Sequence, residues 1–189
     1  MLSLARQHTE AYRGFMSKAP LSPAAWIEAG LEQLTAAGPL ALRAEPLSRY
    51  LKTSKGSFYW HFKDVPAFQA ALLADWKSRA LAQLADDAAQ DGTPTDKMIR
   101  FGQNVQNDAP GPALRAWAQS DATVDAALRD VDAARLARLI DLMGDIDITN
   151  EDFAKAAYGA LIGLKQMSAD DGEALVAFAA LVDLVMALK

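Results

Sequence analysis

The sequence predicts an all-α fold, and three observations carry that prediction. Hydrophobic residues make up 51% of the 189, with Ala and Leu dominant. They recur at the spacing of an amphipathic helix in one segment after another, with no strand-like alternation. Pro and Gly fall mostly between these segments, where they start and stop helices. The length suits one large domain or two small ones sharing a core.

Residues 1–20 read as a flexible extension in which Arg6, Arg13 and Lys18 supply positive charge. Ser22-Pro23 then opens a helix, because the hydroxyl caps free N–H groups and proline suits the first helical position. Ile27, Leu31 and Leu34 follow at helical spacing beside Trp26 and Gly30, and Gly38 ends the helix as a residue that tolerates positive φ. A short second helix over about 44–51 admits Pro46 because it lies in the first turn, and turns Leu47, Tyr50 and Leu51 to an apolar side. Lys52-Thr53-Ser54 makes a turn, and Ser54 or Thr53 caps a third helix over about 55–62. Longer helices follow at about 66–90, 95–107, 113–120, 123–143, 149–167 and 171–188, about nine in all. Asp91-Gly92-Thr93-Pro94 and Asp108-Ala109-Pro110-Gly111-Pro112 break the pattern between them.

Charge divides the chain. Residues 1–64 hold eight Lys/Arg against five Asp/Glu, whereas residues 65–189 hold eleven against nineteen, inside an overall net charge of −5. A basic end on an acidic chain points to a polyanionic partner there. The absence of cysteine excludes a disulfide framework, a thiolate nucleophile and a cysteine-ligated zinc site. His8 and His61, the two histidines, lie too far apart in sequence to suggest a metal site, and no cofactor is expected. No apolar run approaches the roughly 20 residues of a membrane span, and the amino terminus lacks a signal-peptide core. A cytoplasmic protein without membrane contact is the expectation.

Two short helices joined by a tight turn, behind a capped helix, describe a helix-turn-helix unit. At 100° per residue, Phe58 and Phe62 define the inward direction of the third helix. Gly56, Ser57 and Trp60 point away from it, with Tyr59 and His61 on the flanks. A large Trp on the outward face of so short a helix needs a cover, and Gly56 lets another surface approach the backbone closely. A major groove meets both demands: Ser57, Tyr59 and His61 reach phosphates or base edges, and Trp60 packs on sugar or thymine methyl groups.

The run Ser54-Lys55-Gly56-Ser57-Phe58-Tyr59-Trp60-His61-Phe62-Lys63 resembles the recognition-helix signature of tetracycline-repressor (TetR) family regulators, whose pattern ends in Tyr-x-His-Phe. The match extends back through Leu51, Leu47 and Gly38 to the helix at Ser22, and forward only as helical architecture of matching length. The resemblance implies that Tyr59 and His61 hold phosphates. It makes Lys55, Ser57 and Trp60 the base or sugar contacts, and Thr53 and Ser54 backbone contacts. Three positions depart from the family pattern. Arg43 stands where a capping Thr usually contacts DNA, Lys52 replaces the turn glycine, and Val65 replaces a Lys whose phosphate contact Lys63 can take over.

In the remainder, large apolar residues such as Trp76, Met98, Phe101, Trp117 and Tyr158 are spread over several helices. Each reads most simply as core, while the resemblance makes them candidates for lining a pocket for a small-molecule effector. The acidic pairs Asp86-Asp87 and Asp145/Asp147 read as solvated surface. The last two helices carry more information. Ala156/Ala160 and Gly159/Gly163 form two rows of small residues, which suit close approach of another helix. Leu175, Phe178, Val182 and Val185 line one side of the final helix, and Leu181, Leu184 and Leu188 extend that surface beyond what one core face requires.

The expectation is therefore three segments: an extension at 1–20, a DNA-binding unit at 21–64, and a ligand-binding and dimerising bundle at 65–189. It describes a homodimeric repressor, not an enzyme, released from a palindromic operator by a small molecule. The alternative is a helical small-molecule carrier or enzyme that keeps the helix-turn-helix only as scaffold.

Overall fold

The computed structural model describes residues 21–167 and 171–187, with residues 171 and 185–187 in backbone only. The expected extension at 1–20, and the places given to Val185 and Leu188, fall outside what is described. Among the described residues there are nine α-helices and no strand. They are α1 (Pro23–Ala37), α2 (Ala44–Tyr50), α3 (Lys55–His61), α4 (Val65–Ala89), α5 (Pro94–Gln106), α6 (Gly111–Ala118), α7 (Ala122–Gly144), α8 (Glu151–Met167) and α9 (Asp171–Ala187).

Local chemistry explains most boundaries. Ser22 Oγ accepts the Ala25 N–H at 3.2 Å to start α1. Gly38 ends it with φ 75°, its N–H bonded to the Leu34 carbonyl. Asp64 accepts the Ala67 N–H at 2.8 Å, which caps α4 ahead of Pro66. Thr93 and Asp96 close a reciprocal capping box on α5, and Asp121 caps α7 through the Thr123 and Val124 N–H groups. One boundary departs from expectation. Gly111-Pro112 does not belong to the break after α5 but forms the first turn of α6, where proline's missing N–H costs nothing.

The helices bury two hydrophobic cores. The first joins Trp26, Leu34, Leu47 and Phe58 of α1–α3 to Phe68, Leu72 and Trp76 of α4, Leu114 and Trp117 of α6, and Val124, Leu128 and Val131 of α7. It runs well past residue 64, so the first three helices do not close over a core of their own. The second gathers Met98, Phe101 and Val105 of α5, Leu139, Leu142 and Met143 of α7, Tyr158 and Leu161 of α8, and Phe178 and Val182 of α9.

Gly30 shows how tightly the first core is drawn. A Cβ there would lie 2.6 Å from Leu72 and 2.7 Å from Phe68, so a missing side chain is what lets α1 press against α4. Between the cores, on α7, stands Arg135. It is 7% exposed, and its Nη2 donates to Asp108 Oδ2 at 3.0 Å while the Trp76 indole donates to Oδ1 at 2.9 Å. A buried charge is tolerated when it is paired and hydrogen-bonded in this way.

Candidate nucleic-acid interface and the bundle cleft

The candidate interface is built from α2, the turn and α3. Phe58 is fully buried, with ring centroids 5.3 Å from both Trp26 and Phe68 and 5.4 Å from Phe62. This aromatic cluster fixes the rotation of a seven-residue helix too short to hold itself. With Phe58 pinned inward, Gly56 is exposed, Tyr59 is 53% exposed and Trp60 85%. Ser57 and His61 are half-buried on the flanks. Ser54 Oγ accepts the Ser57 N–H at 3.3 Å and caps α3; it, and not Thr53, is the cap. Thr53 is half-buried, its N–H given to the Ser48 carbonyl at 2.9 Å.

The basic residues frame this surface. Arg43 is the exposed N-cap residue of α2 and makes no side-chain cap there. Lys52 occupies the turn with φ 53°, a left-handed conformation that glycine adopts without strain. Lys55 opens α3 and Lys63 follows it, both exposed. Sequence patterning gave no sign of the role of Glu45. Its carboxylate takes the Lys55 ammonium at 2.8 Å and Arg49 at 3.3 Å, and Lys55 holds the carboxyl below the usual range. Tyr50 also departs from expectation. It does not join the apolar side of α2 but lies 47% exposed and donates its hydroxyl to Glu32 of α1 at 2.7 Å.

In the bundle, a cleft of about 680 Å³ opens between the second half of α1, the middle of α4 and the segment joining α5 to α6, with Arg135 at its floor. Of the five residues singled out as pocket candidates, Trp76 lines it. Phe101 lines a small adjoining recess, whereas Met98, Trp117 and Tyr158 are packed in the two cores. Tyr158 donates its hydroxyl to Asp132 at 2.7 Å beside the paired Arg115, and burial together with that carboxylate pushes its pKa up. One expectation is overturned. Asp86 is exposed, but Asp87 is buried at 7% and accepts side-chain N–H groups from Gln83 and Asn104. It sits at the end of α4 against α5, a neighbour that local acidity does not reveal.

No family model and no curated protein matches the chain. Solved structures do. A Rhodococcus sp. protein assigned to the TetR-family transcriptional regulators superposes with TM-score 0.70 at 20% identity, over 87% of this chain and 98% of that one. A transcriptional regulator of the TetR/AcrR group from Aquifex aeolicus VF5 gives 0.69 at 12%, over 86% and 98%. The chain has the TetR-family fold. A Clostridium perfringens protein assigned as a fatty acid metabolism regulator gives 0.61 at 13%, over 82% and 94%. The TetR-like α2–turn–α3 is thus the helix-turn-helix that the sequence pattern suggested. No described helix is long and apolar enough to cross a membrane.

Proposed function

We propose that the chain is a DNA-binding transcriptional regulator, a cytoplasmic homodimer that represses by occupying a palindromic operator and leaves it when a small molecule enters the bundle. The observation that carries this reading is Trp60. It is 85% exposed on a helix whose opposite side holds Phe58 at 0%, with Tyr59 beside it and Lys55 and Lys63 at either end. An aromatic face surrounded by phosphate-seeking groups is useful where a groove covers it. The regulators that share the fold support the same reading.

The proposed dimer would use α8 and α9. Ala156, Gly159 and Ala160 are exposed, and a Cβ at Gly159 or Gly163 would meet nothing within 4 Å. Val176 and Leu184 of α9 are 72% and 56% exposed while Phe178 and Val182 face the second core. A smooth apolar face of this kind suits self-association about a two-fold axis. Two recognition helices would then enter successive major grooves about 34–36 Å apart. A ligand that prefers another subunit arrangement would release them, to the extent of its differential affinity.

A salt titration of binding to duplex DNA from upstream of the chain's own gene, against random duplex, tests the reading. The expected result is sequence-preferring affinity that falls steeply with salt. Lys63→Ala should make the log–log slope shallower by about 0.9, the value of one lost phosphate contact. Tyr59→Ala should weaken binding to both duplexes. Equal affinity for both duplexes at every salt concentration ends the proposal.

A further inference from the structure

The cleft between α1 and α4 is charged in a way that selects its ligand. The cleft and an inner recess of about 20 Å³, room for one water-sized group, share Ala80, Gln83, Asn104 and Arg135, so the two adjoin. Four carboxylates line them: Glu28, Glu32, Asp87 and Asp108. Two guanidinium groups face these, and both are committed. Arg79 is paired with Glu28 and also with Asp75 at 2.7 Å, and Arg135 is paired with Asp108.

Two carboxylates remain without a cationic partner among the described residues. Glu32, at the mouth, has the Tyr50 hydroxyl. Asp87, at the inner end, has the amide N–H groups of Gln83 and Asn104. Amide donors satisfy some of the lone pairs of a buried carboxylate, but they bring no countercharge. Gln83 and Asn104, having given their N–H groups to Asp87, keep their own carbonyl oxygens as acceptors. The inner end is thus rich in acceptors and short of positive charge. Leu31, Trp76 and Ala80 supply an apolar wall beside it.

From this arrangement we infer that the cleft binds an organic ammonium ion, its charged nitrogen donating to Asp87 and its apolar body lying along Leu31 and Trp76. An ammonium group brings three donors to a site that offers acceptors, and its charge meets the carboxylate that the fold leaves uncompensated. An anionic ligand would face Asp87 and Glu32 with only Arg79 and Arg135 to offset them, guanidinium groups already held by Glu28, Asp75 and Asp108. The cleft volume lies within the range of small-molecule sites, and α1 of the DNA-reading unit forms one wall. The inference rests on the reading of the bundle as the ligand-receiving part of a regulator, and it names the ligand class.

Three probes with one apolar body separate the possibilities: 4-phenylbutylamine, 4-phenylbutanol and 4-phenylbutyrate, titrated into the full chain by calorimetry. The amine should bind more tightly than the alcohol by about tenfold or more, the worth of a charge-assisted hydrogen bond, and the carboxylate should bind weakest. Asp87→Asn, which keeps the shape and removes the charge, should abolish the preference for amine over alcohol. Glu32→Gln at the exposed mouth should weaken amine binding about two- to threefold, which keeps the question open to measurement even if the buried substitution impairs folding. The inference is overturned if the carboxylate binds as well as the amine, if no amine binding is detected, or if a folded Asp87→Asn protein keeps the amine preference. Duplex binding measured on the same preparations is a separate readout. Its absence would count against the regulator reading and leave the amine site standing.

Discussion

The two cores of this molecule are finished to different degrees. The first is dense with aromatic rings that meet edge to face, as Trp26 meets Phe58 at 83° and Phe62 meets Phe68 at 77°. Its helices α1, α3 and α4 start on capping side chains, and Gly30 lets α1 approach α4 closely. The second relies mostly on aliphatic packing around Phe101 and Phe178, and its outermost helices still show Val176, Leu184 and open glycines to the outside. The first core is complete within one chain because it must hold a seven-residue helix at a fixed angle. The second leaves apolar side chains and open glycines on one side, the face that the proposed dimer would cover. A closed aromatic core and an open apolar face thus lie on either side of the Arg135–Asp108 pair.

The comparison breaks most directly at Phe58. Phe58→Ala should destabilise the protein by about 3–5 kcal/mol, the cost of a cavity at a site touched by four aromatic rings. The corresponding Phe178→Ala in the second core should cost less, since the outer side of α9 can close inward over the gap. Urea unfolding of both variants measures the difference, and an equal or larger loss at Phe178 would mean the two cores are equally tight.

A second change acts on association instead of packing. Val176→Glu with Leu184→Glu should halve the mass seen by light scattering while leaving the helical circular dichroism in place, because both side chains face outward. A dimer that survives both charges would place the interface elsewhere. The smallest effect belongs to the turn. Lys52→Gly relieves a left-handed residue and should raise stability by up to about 1 kcal/mol, read as a higher urea midpoint with unchanged slope. Because it removes a cation from the candidate interface, it should also weaken duplex binding. A stability gain with no loss of affinity would show that Lys52 makes no phosphate contact.

Much of the architecture was legible in the residues. Ser22-Pro23, Gly38, Ser54 and the Phe58/Phe62 spacing marked the first three helices, and the outward place of Trp60 followed from angle alone. The rest was hidden for a physical reason: it depends on pairs distant in sequence. Asp87 lies beside exposed Asp86 yet is buried, because Asn104 comes from another helix. Tyr50 fits an apolar stripe by spacing, but Glu32 on α1 offers its hydroxyl a better partner. Met98, Trp117 and Tyr158 look like pocket residues only while the position of the cleft is unknown.

By itself, the sequence determined the all-α class, the order and approximate limits of the helices, and which face of α3 looks outward. Capping, helical periodicity and glycine conformation act within a few residues, so they are written in local sequence. Tertiary structure alone decided that the first core extends into α4, α6 and α7. It also decided that Asp108 and Arg135 meet between two apolar layers, and that Glu32 at a cleft and Asp87 at its adjoining recess have no cationic partner among the described residues. Those are consequences of burial, and burial is set by what comes to lie across from a residue when the helices pack.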